Sequence, residues 1–175
     1  VRNADLTQAD AAMQAEIDMS YAQVFMADAN YASAVVLLSR VVSNYDISLE
    51  AFIHPKRVAQ ANQMLAYAYI EQSLDDAELA HEYDQKIRLA FIEMVRNAPY
   101  LMLLEGRQSP ERVRLYDEAR ALFLGNAVYR RTQESQAAAL SHMLDVDILL
   151  FPRVVQRPDG ALDLEMDIYN RVTRE

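Results

Sequence analysis

Apolar residues recur at helical intervals through most of this chain, and near its end the interval drops to two. Ala34, Leu37, Leu38, Val41 and Val42 share one face at i, i+3, i+4 spacing, as in an amphipathic helix. Leu162, Leu164, Met166 and Ile168 instead alternate with Asp163, Glu165, Asp167 and Tyr169, the period of a half-buried strand. The pattern predicts a mainly α protein that closes with a β-hairpin.

Glycine and proline, which break or end helices, punctuate the pattern. Between them lie segments rich in Ala, Leu, Met, Gln, Glu and Arg, all good helix formers. A first helix is expected from about Thr7 to Ala29, with Thr7 and Asp10 spaced as a capping box. A second runs from about Tyr31 to Asn44, and "YDISLEAFIH" reads as a connector. A third starts at Pro55 and reaches about Gln72, and "SLDD" caps a fourth from about Asp75 to Asn97, before Pro99. Ser109 is placed to cap a fifth, with Pro110 at its first position, running to about Leu124. "GN" at 125–126 marks a turn before a sixth, from about Ala127 to Leu144.

The closing segment fixes its own register. Pro158-Asp159-Gly160 suits a three-residue hairpin loop with glycine at the left-handed position. That loop pairs Arg157 with Ala161, Val154 with Leu164, Pro152 with Met166 and Leu150 with Ile168. On the other face it sets Arg153 against Glu165, a favourable cross-strand pair. Two strands alone are marginal in water. Either the apolar face folds back on the helices or belongs to a following domain, or an exposed edge pairs with a neighbouring chain. Residues 1–145 and 146–175 therefore read as a helical domain and a junction.

Within the first two helices, Tyr21-Ala22, Phe25, Ala29, Tyr31, Ala34, Leu38 and Val41 form a register that resembles the tetratricopeptide repeat, a helical hairpin of about 34 residues. The resemblance implies Ala22 and Ala34 at the close contact, with Tyr21, Phe25 and Tyr31 wedged around them. Leu65-Ala66, Tyr69, Ser73 and Pro99 carry it into a second pair, whose preceding connector and second helix exceed the family pattern. A third pair matches chiefly through Ala119, Ala121 and Ala137 to Ala139. The resemblance implies a stack of about three antiparallel α-hairpins, TPR-like, and a partner-binding groove at Met19, Gln23, Met26, Gln63, Tyr67 and Ile70. Met and Tyr adapt to partner surfaces, and Gln can bond an extended peptide. No Lys or Arg cluster joins that groove, which argues against a carboxylate clamp. The order of helical pair, "NAPYL" and "SPERVRLYDEAR" is also similar to helical-repeat regions of bacterial cell-envelope proteins, where a β domain often follows.

Composition narrows the functions. Of 175 residues 52% are hydrophobic, and 17 basic against 26 acidic residues give a net charge of −9. That balance disfavours nucleic acid and anionic membranes. No run approaches the roughly 18 apolar residues of a membrane span. Cysteine is absent, so disulfides and thiolate metal sites are excluded without assigning a compartment. The chain opens at Val1 rather than at methionine, which is compatible with removal of a leader or of an upstream segment.

Catalytic patterns are missing. "HEYDQ" at 81–85 begins like a zinc-protease helix, but Gln85 stands where the second histidine belongs. "SHMLDVD" places His142 near Asp145 and Asp147, which could contact a metal only if the helix ends there and otherwise read as solvated polar positions, and His54 is a loop residue. Three scattered glycines make no phosphate loop, and no G-x-S-x-G elbow occurs. The expectation is therefore no enzyme, no cofactor and no metal. It is a protein–protein interaction scaffold in a bacterial cell-envelope assembly, periplasmic or envelope-associated rather than cytoplasmic, with protein partners, a homo-oligomer being one option. Its hairpin interface is expected at Leu150, Val154, Leu164, Met166 and Ile168. The alternatives are a cytosolic peptide-binding adaptor that uses the groove, and an accessory domain of a truncated enzyme.

Overall fold

A computed structural model describes residues 2–75, 80–99, 101–103, 107–131, 134–157 and 159–173. The chain is mainly helical and ends in a two-stranded antiparallel hairpin. In order it forms α1 (Arg2–Ala27), α2 (Tyr31–Ile47), α3 (Glu50–Ile53), α4 (Pro55–Asp75), α5 (Ala80–Asn97), α6 (Pro110–Gly125), α7 (Ala127–Arg130), α8 (Glu134–Leu144), β1 (Ile148–Gln156) and β2 (Leu162–Asn170).

α1 and α2 are joined by a tight turn. Ala29 adopts the left-handed conformation (φ 55°), and Asn30 N donates to Phe25 O at 2.8 Å, closing the carbonyl end of α1. Asn30 then caps α2, its side chain accepting from Ser33 N at 3.3 Å. The two helices are clasped by Asp18, a buried carboxylate. Arg40 reaches it with Nε at 3.0 Å and Nη2 at 2.5 Å, and Gln14 donates at 3.0 Å. Burying that charge is tolerated because every bond comes from a positioned donor.

Helices pack in succession: α1 on α2, α2 on α4, α4 on α5, α5 on α6. Ala22, Ala34, Ala59, Ala66, Ala68 and Ala119 are fully buried, and such small residues let helix axes approach. Between them Leu38, Val41, Phe91, Ile92, Val95 and Tyr116 fill the core. Tyr116 meets the edge of Phe91 at 5.7 Å between ring centroids and donates to the Leu101 carbonyl, anchoring the segment after α5.

Several sequence expectations are corrected. Thr7 and Asp10 lie inside α1 rather than at its start: the helix already begins at Arg2, since residues 2–6 contain no helix breaker. The connector before Pro55 holds the end of α2 and the short α3, entered through Leu49 in the left-handed conformation (φ 58°). Asp75 belongs to α4, and residues 76–79, including the rest of the expected cap, lie outside the described residues. Tyr21 is 61% exposed rather than wedged between helices, whereas Phe25 packs against the core. Ser109 does cap α6, accepting from Arg112 N, with Pro110 next.

The sixth helix is broken into α7 and α8. Arg96 donates through Nε and Nη2 to Tyr129 O, at 3.1 and 2.7 Å. Arg130 likewise donates to Leu124 O. Carbonyls captured by guanidinium groups no longer need a helical partner, which eases the break. α8 packs against β1 and β2 instead of forming a packed pair with α6.

The hairpin register is the expected one: Val154 opposite Leu164, Pro152 opposite Met166, Leu150 opposite Ile168, Arg153 opposite Glu165. At the tip Arg157 N donates to Ala161 O at 2.7 Å, and Gly160 has φ 83°, which favours glycine. Pro158 of the expected loop lies outside the described residues. At the base Arg171 donates to Asp147 at 2.7 Å and to Asp145 at 3.1 Å, tying the end of β2 to the start of β1.

Candidate functional site

Strand geometry sends alternate side chains to opposite faces of the hairpin, so one face must meet the helices and the other must not. The charged face is the one turned inward. Arg130 of α7 reaches Glu165 of β2 with Nε at 3.0 Å and Nη2 at 2.5 Å. That donation holds the Glu165 carboxyl below the usual carboxylate range. Arg153 pairs with Asp167 across the same face, Phe151 meets Phe52 of α3 at 5.9 Å between centroids, and Tyr169 is buried.

The apolar face consequently points away from the helices. Ile148, Leu150, Val154, Leu162, Leu164, Met166 and Ile168 are each between 49% and 69% exposed. Of the alternatives left open by the sequence, this removes the one in which the apolar face folds back on the protein's own helices. The physical reason is the distribution of partners. The surface offered by α3 and α7 supplies a guanidinium and an aromatic ring, which suit Glu165 and Phe151 rather than a row of aliphatic chains. With nine residues per strand, the outward face is about 30 Å long and about 10 Å wide, on the order of 300 Å² in plan. Contiguous apolar patches of that size on a soluble protein are often functional.

All five expected hairpin residues, Leu150, Val154, Leu164, Met166 and Ile168, lie together on this face. Ile148 and Leu162 extend it at either end, and the same alternation would have included them. The groove residues do not assemble in the same way. Met19 and Ile70 are 8% and 5% exposed and belong to the core, so they are unavailable to a partner. Tyr67 and Met26 pack against that core. The Tyr67 ring lies 4.3 Å from the Arg112 guanidinium and meets Phe91, its hydroxyl accepts from Gln63 at 2.9 Å, and burial raises its pKa. Gln23 alone of the six is exposed. Met19 on α1 and Ile70 on α4 face the core that the successive helix pairs share, so they fill it rather than line a groove.

His81 and His142 are exposed, and His54 ends α3. Among the described residues no three or more His, Asp or Glu side chains are grouped to hold a metal ion, and no helix is long and apolar enough to cross a membrane. Compared with known proteins, the chain matches no family model, no curated protein and no solved structure.

Proposed function

We propose that this chain is a non-enzymatic protein–protein interaction scaffold, a TPR-like stack of antiparallel α-hairpins that presents a β-hairpin to a partner chain. One observation carries the reading: the hairpin is fastened to its own helices by charged and aromatic groups, leaving seven large apolar side chains on the outside. Exposing that row to water costs about 25 cal/mol for each Å² of apolar surface, a cost that a covering surface removes. A specific interface buries about 800 Å² on each partner. The outward face supplies the apolar centre of such a contact, and adjoining helical surface supplies its rim. The groove reading loses support, because two of its six residues are buried. Placement in a bacterial cell-envelope assembly rests on the sequence resemblance alone.

The test is a photo-crosslinking residue at position 164, with the same residue at exposed position 21 as control. In cells that encode the chain, position 164 should give one discrete protein adduct that position 21 does not. Ile168→Arg should abolish the adduct without changing helicity. Light scattering of the purified protein then identifies whether the adduct is a second copy. A folded protein that gives no adduct at 164, or equal adducts at both positions, overturns the proposal.

A further inference from the structure

The inner side of the hairpin does not lie flat on the helices. Between it and the ends of α5, α6 and α7 lies a cleft of about 1570 Å³. Pockets for small molecules run to roughly 300–1,000 Å³, so this space suits a length of chain. In a protein of net charge −9, its wall gathers six arginines, Arg96, Arg120, Arg130, Arg131, Arg153 and Arg157, beside Asp117, Asp163 and Glu165, while Glu93 and Asp167 pair with two of the six from outside the wall.

We propose that this cleft is a second binding site, which takes an acidic, extended peptide segment of a partner protein. It is bounded by the inward face and the free edge of β1, where Leu150, Pro152 and Val154 contribute to its wall, and the β2 side chains of the outward face take no part in it. Four of the arginines are engaged: Arg96 with Glu93 and the Tyr129 carbonyl, Arg130 with Glu165, Arg153 with Asp167, Arg157 with Asp163. Arg120 and Arg131 have no ion pair among the described residues. The crowding weighs on Arg153. Burial, together with Arg130, Arg96 and Arg131 nearby, holds the Arg153 guanidinium below its usual range. Carboxylates entering the cleft relieve that repulsion.

The backbone argues for an extended chain rather than a compact anion. Arg157 bonds Ala161 and Arg171 bonds Asp147, so odd-numbered residues of β1 turn their amide and carbonyl groups to β2. Even-numbered ones turn theirs away, and Leu150, Pro152 and Val154 line the cleft. Leu150 and Val154 there offer a donor and an acceptor each, and Pro152 an acceptor only. A segment laid along this edge gains main-chain bonds while its acidic side chains reach the arginines and its apolar ones meet Phe123 and Phe151. A nucleic acid offers the phosphates without those main-chain groups, and meets a strongly negative protein.

The test uses a fluorescein-labelled peptide of about ten residues alternating Glu with Leu, its Lys-for-Glu counterpart, pyrophosphate and a DNA duplex. Fluorescence anisotropy should show the Glu peptide binding the whole chain and the Lys peptide failing to bind. Arg120→Gln with Arg131→Gln should weaken binding by about tenfold, with the thermal melt unchanged. Arg88→Glu, exposed on α5 and away from the cleft wall, should alter it by no more than about twofold. Leu164→Arg on the outward face should leave peptide binding intact, so the two sites stand or fall separately. Equal binding of the Glu and Lys peptides, equal weakening by Arg88→Glu, or displacement of the Glu peptide by lower concentrations of pyrophosphate or DNA overturns the assignment.

Discussion

Replacing Arg130 with methionine weakens the attachment that holds the ribbon on the helices. The substitution keeps most of the aliphatic stem and removes two charge-assisted hydrogen bonds to Glu165, at 3.0 and 2.5 Å, together with the bond to the Leu124 carbonyl, which lies among the helices and does not hold the ribbon. Bonds to charged groups are worth about 1.5–3 kcal/mol each in protected surroundings. Here the Arg130 side chain is 12% exposed but Glu165 is 32% exposed, and water screens part of the attraction. A net loss of about 2 kcal/mol follows, equal to about a thirtyfold rise in the undocked population. Once undocked, a two-stranded ribbon is marginal, so its internal amides exchange with solvent. Hydrogen exchange at Arg153 and Glu165 should therefore accelerate by about thirtyfold, while amides in α4 and α5 keep their rates. Leu164→Arg serves as the counterpart: Leu164 is 69% exposed, so the ladder should stay within about 0.5 kcal/mol of its original stability. If Leu164→Arg speeds exchange and Arg130→Met does not, the ribbon is docked through its apolar face and the reasoning fails.

Ala34→Arg should cost about 3 kcal/mol or more, since Ala34 is fully buried where α1 meets α2; a thermal melt lowered by several degrees checks it. Gly160→Ala should destabilise the hairpin by about 1 kcal/mol through backbone strain alone, because φ is 83° and nothing crowds the added methyl; faster exchange confined to the tip is the readout. Acid should release the hairpin before it loosens the helices. Glu165 has its pKa lowered, so its contribution is present above the ordinary glutamate value of 4.5 and is lost as pH falls through the lowered one. Asp46 and Glu93 are raised by burial, so their contributions have the opposite sign: present at low pH and lost as pH rises through the raised values. Exchange measured from pH 6 downward should show β1 and β2 losing protection ahead of α2 and α5.

The hairpin was legible because turn chemistry and alternation are local, and both point to one register. Its orientation was not, since that depends on Arg130 and Phe52, residues remote in sequence from the strands they meet. Helix starts and breaks failed for related reasons. A capping-box spacing at Thr7 is silent about whether the chain before it is also helical. The break after Arg130 follows from Arg96, on another helix, capturing the Tyr129 carbonyl. The groove failed because Met19 and Ile70, assigned to a surface by the repeat resemblance, face the core, and which face a helix buries depends on neighbours remote in sequence. Arg96, Arg120, Arg131 and Arg153 come from separate elements and gave no local signal, apart from the neighbouring Arg130-Arg131 pair.

Because ionic contacts hold one side of the ribbon and aliphatic chains cover the other, dissolved salt acts on the two sides in opposite senses. At about 1 M the screening length shrinks to roughly 3 Å, which weakens the attachment of the partly exposed ion pairs. Sulfate or phosphate at such strength makes apolar burial more favourable. A rise in the concentration of such a salt therefore loosens the ribbon from its own helices while it strengthens the drive to remove Leu164 and Ile168 from water.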